Sequence, residues 1–303
     1  MKRKVNRQCP IGKQALYLLK RAGVMRTGLI KICLRLITLV AITTSLAIPV
    51  NAQEGKGASD EAAELAKKLA NPIASLISVP LQYNYDEYGG SNDGASVSRL
   101  NIQPVIPFSL TDQWNVITRT IVPLIDQHGF PVDAMNESGL GDIVASQFFS
   151  PKAPTAGGWI WGVGPVELLP SASDDMLGGE KWGLGPTGVV LKQQGSWTVG
   201  MLANHIWSVA GDDDRADVNA TFLQPFVSYI TKTKTTLTLQ TESTYDWENE
   251  AWSVPVVAMV SQLFKVGPQI LQFGIGAKYW AESPDNGPDG WGFRAQLTFL
   301  FPK

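Results

Sequence analysis

Beyond residue 52 this chain has no cysteine, two histidines, and no apolar run long enough for a helical membrane span. The missing cysteine excludes disulfides and thiol chemistry there, because Cys9 and Cys33 both lie upstream. Two isolated histidines, His128 and His205, leave little material for metal or acid–base catalysis. A spanning helix needs about 20 consecutive apolar residues. Without one, a closed barrel is the remaining architecture that can cross a bilayer. Basic residues are also scarce. The 25 Lys and Arg include ten within residues 1–35, leaving 15 against 27 Asp and Glu beyond the leader, a net of −12. Such a surface does not suit the phosphates of nucleic acid.

The leader itself is basic, with no acid before Glu54, and is followed by an apolar run over residues 36–48. Val50-Asn51-Ala52 then places small residues at −3 and −1 of a cleavage site before Gln53. Residues 1–52 read as a secretory signal peptide, with either Met1 or Met25 as the true start. Residues 53–72 read as a periplasmic segment with a short helix, capped by Ser59 and stopped by Asn71-Pro72. Its narrow stripe of Ala62, Leu65, Ala66 and Leu69 fits either a solvated linker or a cover over a barrel mouth.

Residues 73–303 carry the main signal. Twelve extended segments can be read: 73–86, 96–108, 114–124, 141–150, 158–169, 183–193, 196–209, 219–231, 234–247, 252–264, 270–281 and 291–302. The links between them alternate. Residues 87–95, 125–139, 170–182, 210–218 and 282–290 are long and acidic, whereas 109–113, 194–195, 232–233 and 265–269 are short. An even strand count with turns sorted by length marks an outer-membrane barrel. Several segments alternate with period two. Leu237 and Leu239 oppose Thr236, Thr238, Gln240 and Glu242. Phe273 and Ile275 oppose Gln272, Gly274 and Gly276, and Leu297 and Phe299 oppose Arg294, Gln296 and Thr298. The apolar face should meet lipid and the polar face the lumen. Segments 5, 6, 7 and 10 alternate less cleanly. Ten tryptophans fall near segment ends and predict two aromatic girdles, with Trp280 in the one at the long-loop end. Pro80, Pro104, Pro123, Pro165, Pro225 and Pro255 lie inside segments, where each removes a ladder donor and predicts bulges.

Candidate chemistry is sparse, and no residue is assigned a catalytic role. His205 and Ser208 are the residue types a lipid-modifying enzyme would use, but their odd separation puts them on opposite faces of a strand. Asp212, Asp213, Asp214 and Asp217 form the densest acidic run. It reads as a solvated loop tip, or as a weak divalent-metal site bridging to lipopolysaccharide. The lumen and selectivity candidates are Arg99, Arg119, Glu242, Asp246, Lys278 and Arg294. If residue 281 pairs with 291, Lys278 falls opposite Arg294, with Arg99 at a similar height. Either a carboxylate such as Asp86 or Glu282 neutralises this basic cluster and the network braces the wall, or the cluster faces water and attracts anions, with Glu242 and Asp246 supplying the opposing side of a transverse field.

Five stretches resemble a known family. They are residues 69–80 (beginning Leu69-Ala70-Asn71-Pro72), 101–107 (Asn101-Ile102-Gln103-Pro104), 148–152 (Phe148-Phe149-Ser150-Pro151-Lys152), 211–215 (Gly211-Asp212-Asp213-Asp214-Arg215) and 299–302 (Phe299-Leu300-Phe301-Pro302). They are similar to bacterial outer-membrane proteins related to those named for the meta-cleavage pathway of phenol degradation. Members carry the label transporter, or wrongly neuromedin U. The resemblance covers nearly all of the chain beyond the leader. It implies a barrel with a passage role, and it brings aromatic or hydrophobic solutes into view. It carries no agreed functional residues.

The sequence thus predicts an all-β protein: a transmembrane antiparallel β-barrel of about 12 strands with a short N-terminal periplasmic helix, in the cell outer membrane. It predicts passive passage of a small solute, with no enzyme activity and no cofactor. Expected partners are outer-membrane lipids and lipopolysaccharide, the barrel-assembly machinery and the solute. A closed structural or adhesive barrel is the alternative, and a lipid-modifying enzyme the third reading. Charged lumen residues facing water favour passage; a lumen plugged by loops or by the helix favours the closed barrel.

Overall fold

Period-two patterning with β-branched and aromatic residues builds strands along almost the whole described chain. The computed structural model describes residues 56–90, 93–130 and 136–302, so the leader, Met25 and the expected cleavage site lie outside the described residues. A helix, α1 (Lys56–Leu69), precedes β1 (Ile77–Glu87), β2 (Ser96–Ile102), β3 (Val105–Ser109), β4 (Trp114–His128), β5 (Asn136–Leu140), β6 (Ile143–Pro151) and β7 (Trp159–Leu169). Then come β8 (Lys181–Gln194), β9 (Trp197–Gly211), β10 (Asn219–Ile230), β11 (Thr235–Thr241), β12 (Ser243–Asp246), β13 (Ala251–Val266), β14 (Gln269–Glu282) and β15 (Trp291–Phe301). The helix starts three residues before the expected Ser59 cap.

Neighbouring strands pair antiparallel, and β15 returns to β1 from Ile77↔Phe301 to Tyr85↔Phe293. The sheet therefore closes and leaves no edge. Three pairs of pieces (β2/β3, β5/β6 and β11/β12) each form one interrupted wall strand, so the barrel has twelve. Each interruption lies opposite a proline. The backbone N–H of Gln103, Gly141 and Glu242 donates to the carbonyl of Pro80, Pro123 and Pro255 respectively. Near Pro255 the β13–β14 register also shifts. These are the bulges that the in-strand prolines require, and they turn the bulged side chains.

The outer wall is apolar. Leu237, Leu239, Ile275 and Phe293 are exposed on the faces that alternation assigns to lipid, and Leu184, Val190, Val199 and Val260, on the strands of blurred alternation, are exposed as well. Trp182, Trp207, Trp247 and Trp291 stand exposed at the long-loop end, and Trp159 and Trp197 at the short-turn end. Trp280 departs from the expected girdle. It shares the inward face of β14 with Lys278, and its indole N–H donates to Asp86 at 2.9 Å.

Facing is testable by charge. Ile275 is 50% exposed at the middle of β14, whereas Gln272 on the same strand lines the lumen. Ile275→Arg should cost about 2–4 kcal/mol in liposome-folded protein, and Gln272→Arg much less. An Ile275→Arg barrel as stable as Gln272→Arg would reverse the assignment. Gly276 cannot serve as the lumen control, because a Cβ there would lie 2.7 Å from the Ala258 carbonyl oxygen.

The interior is divided. Along β4–β9 much of the inward face is apolar: Ile117, Phe148, Val189, Leu191 and Leu202 form one buried cluster, joined by Ile73 from the segment before β1, with Asn115, Arg119, Ser146, Ser150 and Thr187 as polar members of the same face. Val166 is fully buried on the same side. This explains the blurred alternation of the fifth to seventh wall strands, which are apolar on both faces. β13 behaves likewise, with Val257 and Met259 turned inward and Val260 outward. The remaining arc, through β14, β15 and β1, is polar inside.

Candidate functional site: the lumen network and its floor

The lumen site is built from the polar faces of β1, β14 and β15 and from side chains turned inward at the strand interruptions. Glu242 sits between β11 and β12 and meets Arg294 of β15 inside the lumen. Both guanidinium nitrogens engage the carboxylate, Nη1 to Oε1 at 2.6 Å and Nη2 to Oε2 at 2.7 Å. Arg294 Nε also donates to Asn84 Oδ1 at 2.7 Å, and the residue is only 2% exposed. Gln240 donates to Glu242 Oε1 at 2.8 Å. This fork geometry is the strong form of a charged hydrogen bond. Lys278 pairs with Asp86 at 2.6 Å.

A chain of amides completes the network. Arg119 Nη2 donates to Gln103 Oε1 at 3.0 Å, Gln103 to Gln82 at 3.2 Å, and Gln82 to Gln296 at 3.2 Å. Gln103 occupies the break between β2 and β3, as Glu242 does between β11 and β12.

The six candidates from the sequence separate on this geometry. Glu242, Lys278 and Arg294 face the lumen but are locked in ion pairs. Lys278 lies opposite Gly292 rather than Arg294, because Tyr279 and Trp291 are the last pair before the loop; Arg294 faces Gly276. Glu242 is therefore the partner of Arg294, not the far pole of a field. Asp246 is spent on a turn: its carboxylate accepts the backbone N–H groups of Glu248 and Asn249 at 2.9 and 3.2 Å. Arg99 pairs with inward-facing Asn84, so it points into the lumen, where it is exposed. Arg119 opens onto the cavity below the network.

That cavity has a volume of about 210 Å³. Its walls carry Gln82, Gln103, Gln224, Gln240, Gln272 and Gln296 with several Thr and Ser hydroxyls. The floor is the chain itself. Leu69 to Pro72, Ala74 and Leu76 close it from the short-turn end. Leu65, Ala74 and Leu76 pack with Ile270 and Leu300 of β14 and β15. On β8, Gln193 Nε2 donates to the Lys67 carbonyl at 2.8 Å. Helix α1 thus touches opposite sides of the wall and covers the mouth; it is not a free linker. The signal for this was the Leu65/Leu69 stripe.

At the other end, the acidic loops are tied by specific contacts. Asp217 pairs with Lys181 at 3.0 Å and accepts from Ser208 at 3.0 Å; these hydrogen bonds hold its carboxyl below the ordinary carboxylate range. The Asp175 carboxyl beside Glu180 pushes Glu180 upward. Arg215 donates to the carbonyls of Asp175 and Gly178 and so ties residues 212–218 to residues 170–180. Asp212 accepts the Asp214 N–H in a local turn. Among the described residues no group of three or more His, Cys, Asp and Glu side chains is placed to hold a metal. His205 Nδ1 lies 2.7 Å from Thr221 on the outer face, while Ser208 bonds Asp217, so these two do not form a catalytic pair.

No protein-family model matches the sequence, and no curated protein matches it. Solved structures do. The barrel is similar to the crystal structure of an outer membrane channel from Pseudomonas putida F1, at 15% identity and a TM-score of 0.58, over 75% of this chain and 96% of that one. It is also similar to the NanC porin, at 12% identity and a TM-score of 0.45, over 75% of this chain and 100% of that one. The first likeness shows the fold. With a closed wall, a lipid-compatible exterior and two aromatic rims, the chain is an outer-membrane β-barrel.

Proposed function

We propose that this barrel passes a small solute across the outer membrane, and that residues 56–76 gate its periplasmic end. One observation carries the reading: the lumen holds a polar-walled cavity whose floor is the chain's own N-terminal segment rather than the wall. A wall closed by its own side chains cannot open without rebuilding the barrel, whereas a docked segment can leave. The family resemblance points to aromatic or hydrophobic solutes, and the apolar arc of the lumen suits such a body. The resemblance to phenol-pathway proteins supports the same role. In this reading the short turns, α1 and the C-terminal end of β15 face the periplasm, and the acidic loops face outward toward lipopolysaccharide.

The closed structural barrel is favoured by a different observation. The Arg294–Glu242 pair bridges wall strands three apart inside the lumen and the apolar cluster fills part of it. Planar-bilayer recording separates the two. Refolded full-length protein should give rare, brief openings of small conductance; a bilayer that stays silent with both the intact and the plug-released chain would leave the closed reading standing. Orientation has its own test. Asp213→Cys should react with an impermeant maleimide on intact cells and Thr233→Cys should not, although both positions are exposed. Labelling of Thr233→Cys alone would invert the topology.

A further inference from the structure

Arg119 is the one charged side chain of the lumen network that lines the cavity without a carboxylate partner among the described residues. Its guanidinium carries five N–H donors. Only one described acceptor, Gln103 Oε1, meets them. Glu242 and Arg294 lie within electrostatic reach, but Glu242 is already held on both oxygens by Arg294. The centre of the network therefore holds two guanidinium groups and one carboxylate. A cation kept from bulk water by protein walls calls for a counter-charge. A planar fork with free donors matches a carboxylate in particular.

The walls beside it define the rest of the ligand. Val105 pairs directly with Arg119 on the neighbouring strand, on the same inward face. Val105, Phe226, Met259 and Leu76 give the cavity an apolar side. The glutamines and hydroxyls interspersed with them are neutral, and of the other charged lining residues Glu242 is held on both oxygens by Arg294 while Lys68 lies in the floor and is itself a cation. The volume suits roughly seven water-sized groups.

We infer that the lumen contains a binding site for a small monocarboxylate with a short apolar body, its head on Arg119 and its body along Phe226 and Met259. The inference names the solute class for the passage reading above and rests on it. The site itself can be tested without transport.

Calorimetric titration of the full chain in detergent, at constant chloride, with butyrate and its neutral isostere butyramide is the direct test. Butyrate should bind and butyramide should not. Arg119→Gln should weaken butyrate at least about tenfold. Arg119→Lys should keep part of the affinity, since the charge remains without the fork. Phe226→Ala should weaken butyrate while leaving the preference over butyramide intact. Heat-modifiable gel migration shows whether each variant is folded; if Arg119→Gln does not fold, the Arg119→Lys and Phe226→Ala titrations decide. Equal binding of butyrate and butyramide, or unchanged butyrate affinity in folded Arg119→Gln, overturns the site. Displacement of butyrate by equimolar chloride overturns the carboxylate assignment and leaves a site for inorganic anions. Binding with a silent bilayer would mean that the passage reading fails while the site stands. Conductance without butyrate binding would mean the reverse.

Discussion

Glu242→Ala is expected to destabilise the barrel by about 3–5 kcal/mol, the usual cost of removing one partner from a buried ion pair. Arg294 is 2% exposed and would be left with Asn84 alone among its strong partners. Denaturant midpoints of protein folded in liposomes or detergent read this directly. The companion change is Glu242→Gln with Arg294→Met, which removes both charges together. It should recover most of the loss, because the cost lies in the uncompensated charge rather than in the absent contact. A Glu242→Ala barrel within about 1 kcal/mol of the parent would show that water reaches Arg294 freely, and that the pair is not a brace.

Loosening the floor should have the other large effect. Leu65 is 6% exposed, and Leu69 packs against the same cluster with Ile270 and Leu300. Burying a leucine contributes about 1.5–3 kcal/mol. Replacing both with glutamate should therefore shift the docked segment toward release by roughly two orders of magnitude or more. In planar bilayers the open fraction should rise accordingly, with the wall unchanged. The variants leave every strand intact, so gel migration of the folded form should be preserved. An unchanged trace from a folded Leu65→Glu, Leu69→Glu barrel would place the closure in the wall, and with it the structural reading. The Gln193 bond to the Lys67 carbonyl is a backbone contact that survives both changes, so a small residual occlusion is compatible with the gate.

Much of this molecule is local information. All twelve wall strands fall within a few residues of the segments read from the sequence, because period two and turn chemistry act over a handful of positions. The faces of Gln82, Asn84, Asp86, Lys278 and Arg294 follow from alternation alone, and the structure places all of them inward. The prolines announced irregularities, although two of the three interruptions, β5/β6 and β11/β12, fall on the strand facing the proline rather than on its own. What they could not convey is the aim of the side chain that each bulge frees. Glu242 and Gln103 reach the network only because the ladder breaks opposite Pro255 and Pro80.

Other features depend on closure. Which basic group meets which carboxylate is a matter of distance inside the lumen: Arg294 belongs to β15, and Glu242 joins β11 to β12, three wall strands away. A register error of two residues in β14–β15 preserved the faces of Lys278 and Arg294 but misplaced their neighbours. Trp280 and Asp246 carried rim-like or lumen-like signals that the neighbouring Asp86 and the 246–249 turn redirected. The sequence by itself determined the barrel, its strand count and, on the cleanly alternating strands, which face meets lipid and which the lumen, since these depend on pattern within single strands. Only the tertiary structure decided that part of the lumen is apolar, that the charges are mostly paired, that Arg119 is left facing the cavity, that Leu65 packs onto the barrel, and that Ile73, expected at the start of the first strand, lies before it in the interior cluster. Those outcomes require side chains far apart in sequence to be brought to a common interior, and local pattern carries no record of that distance.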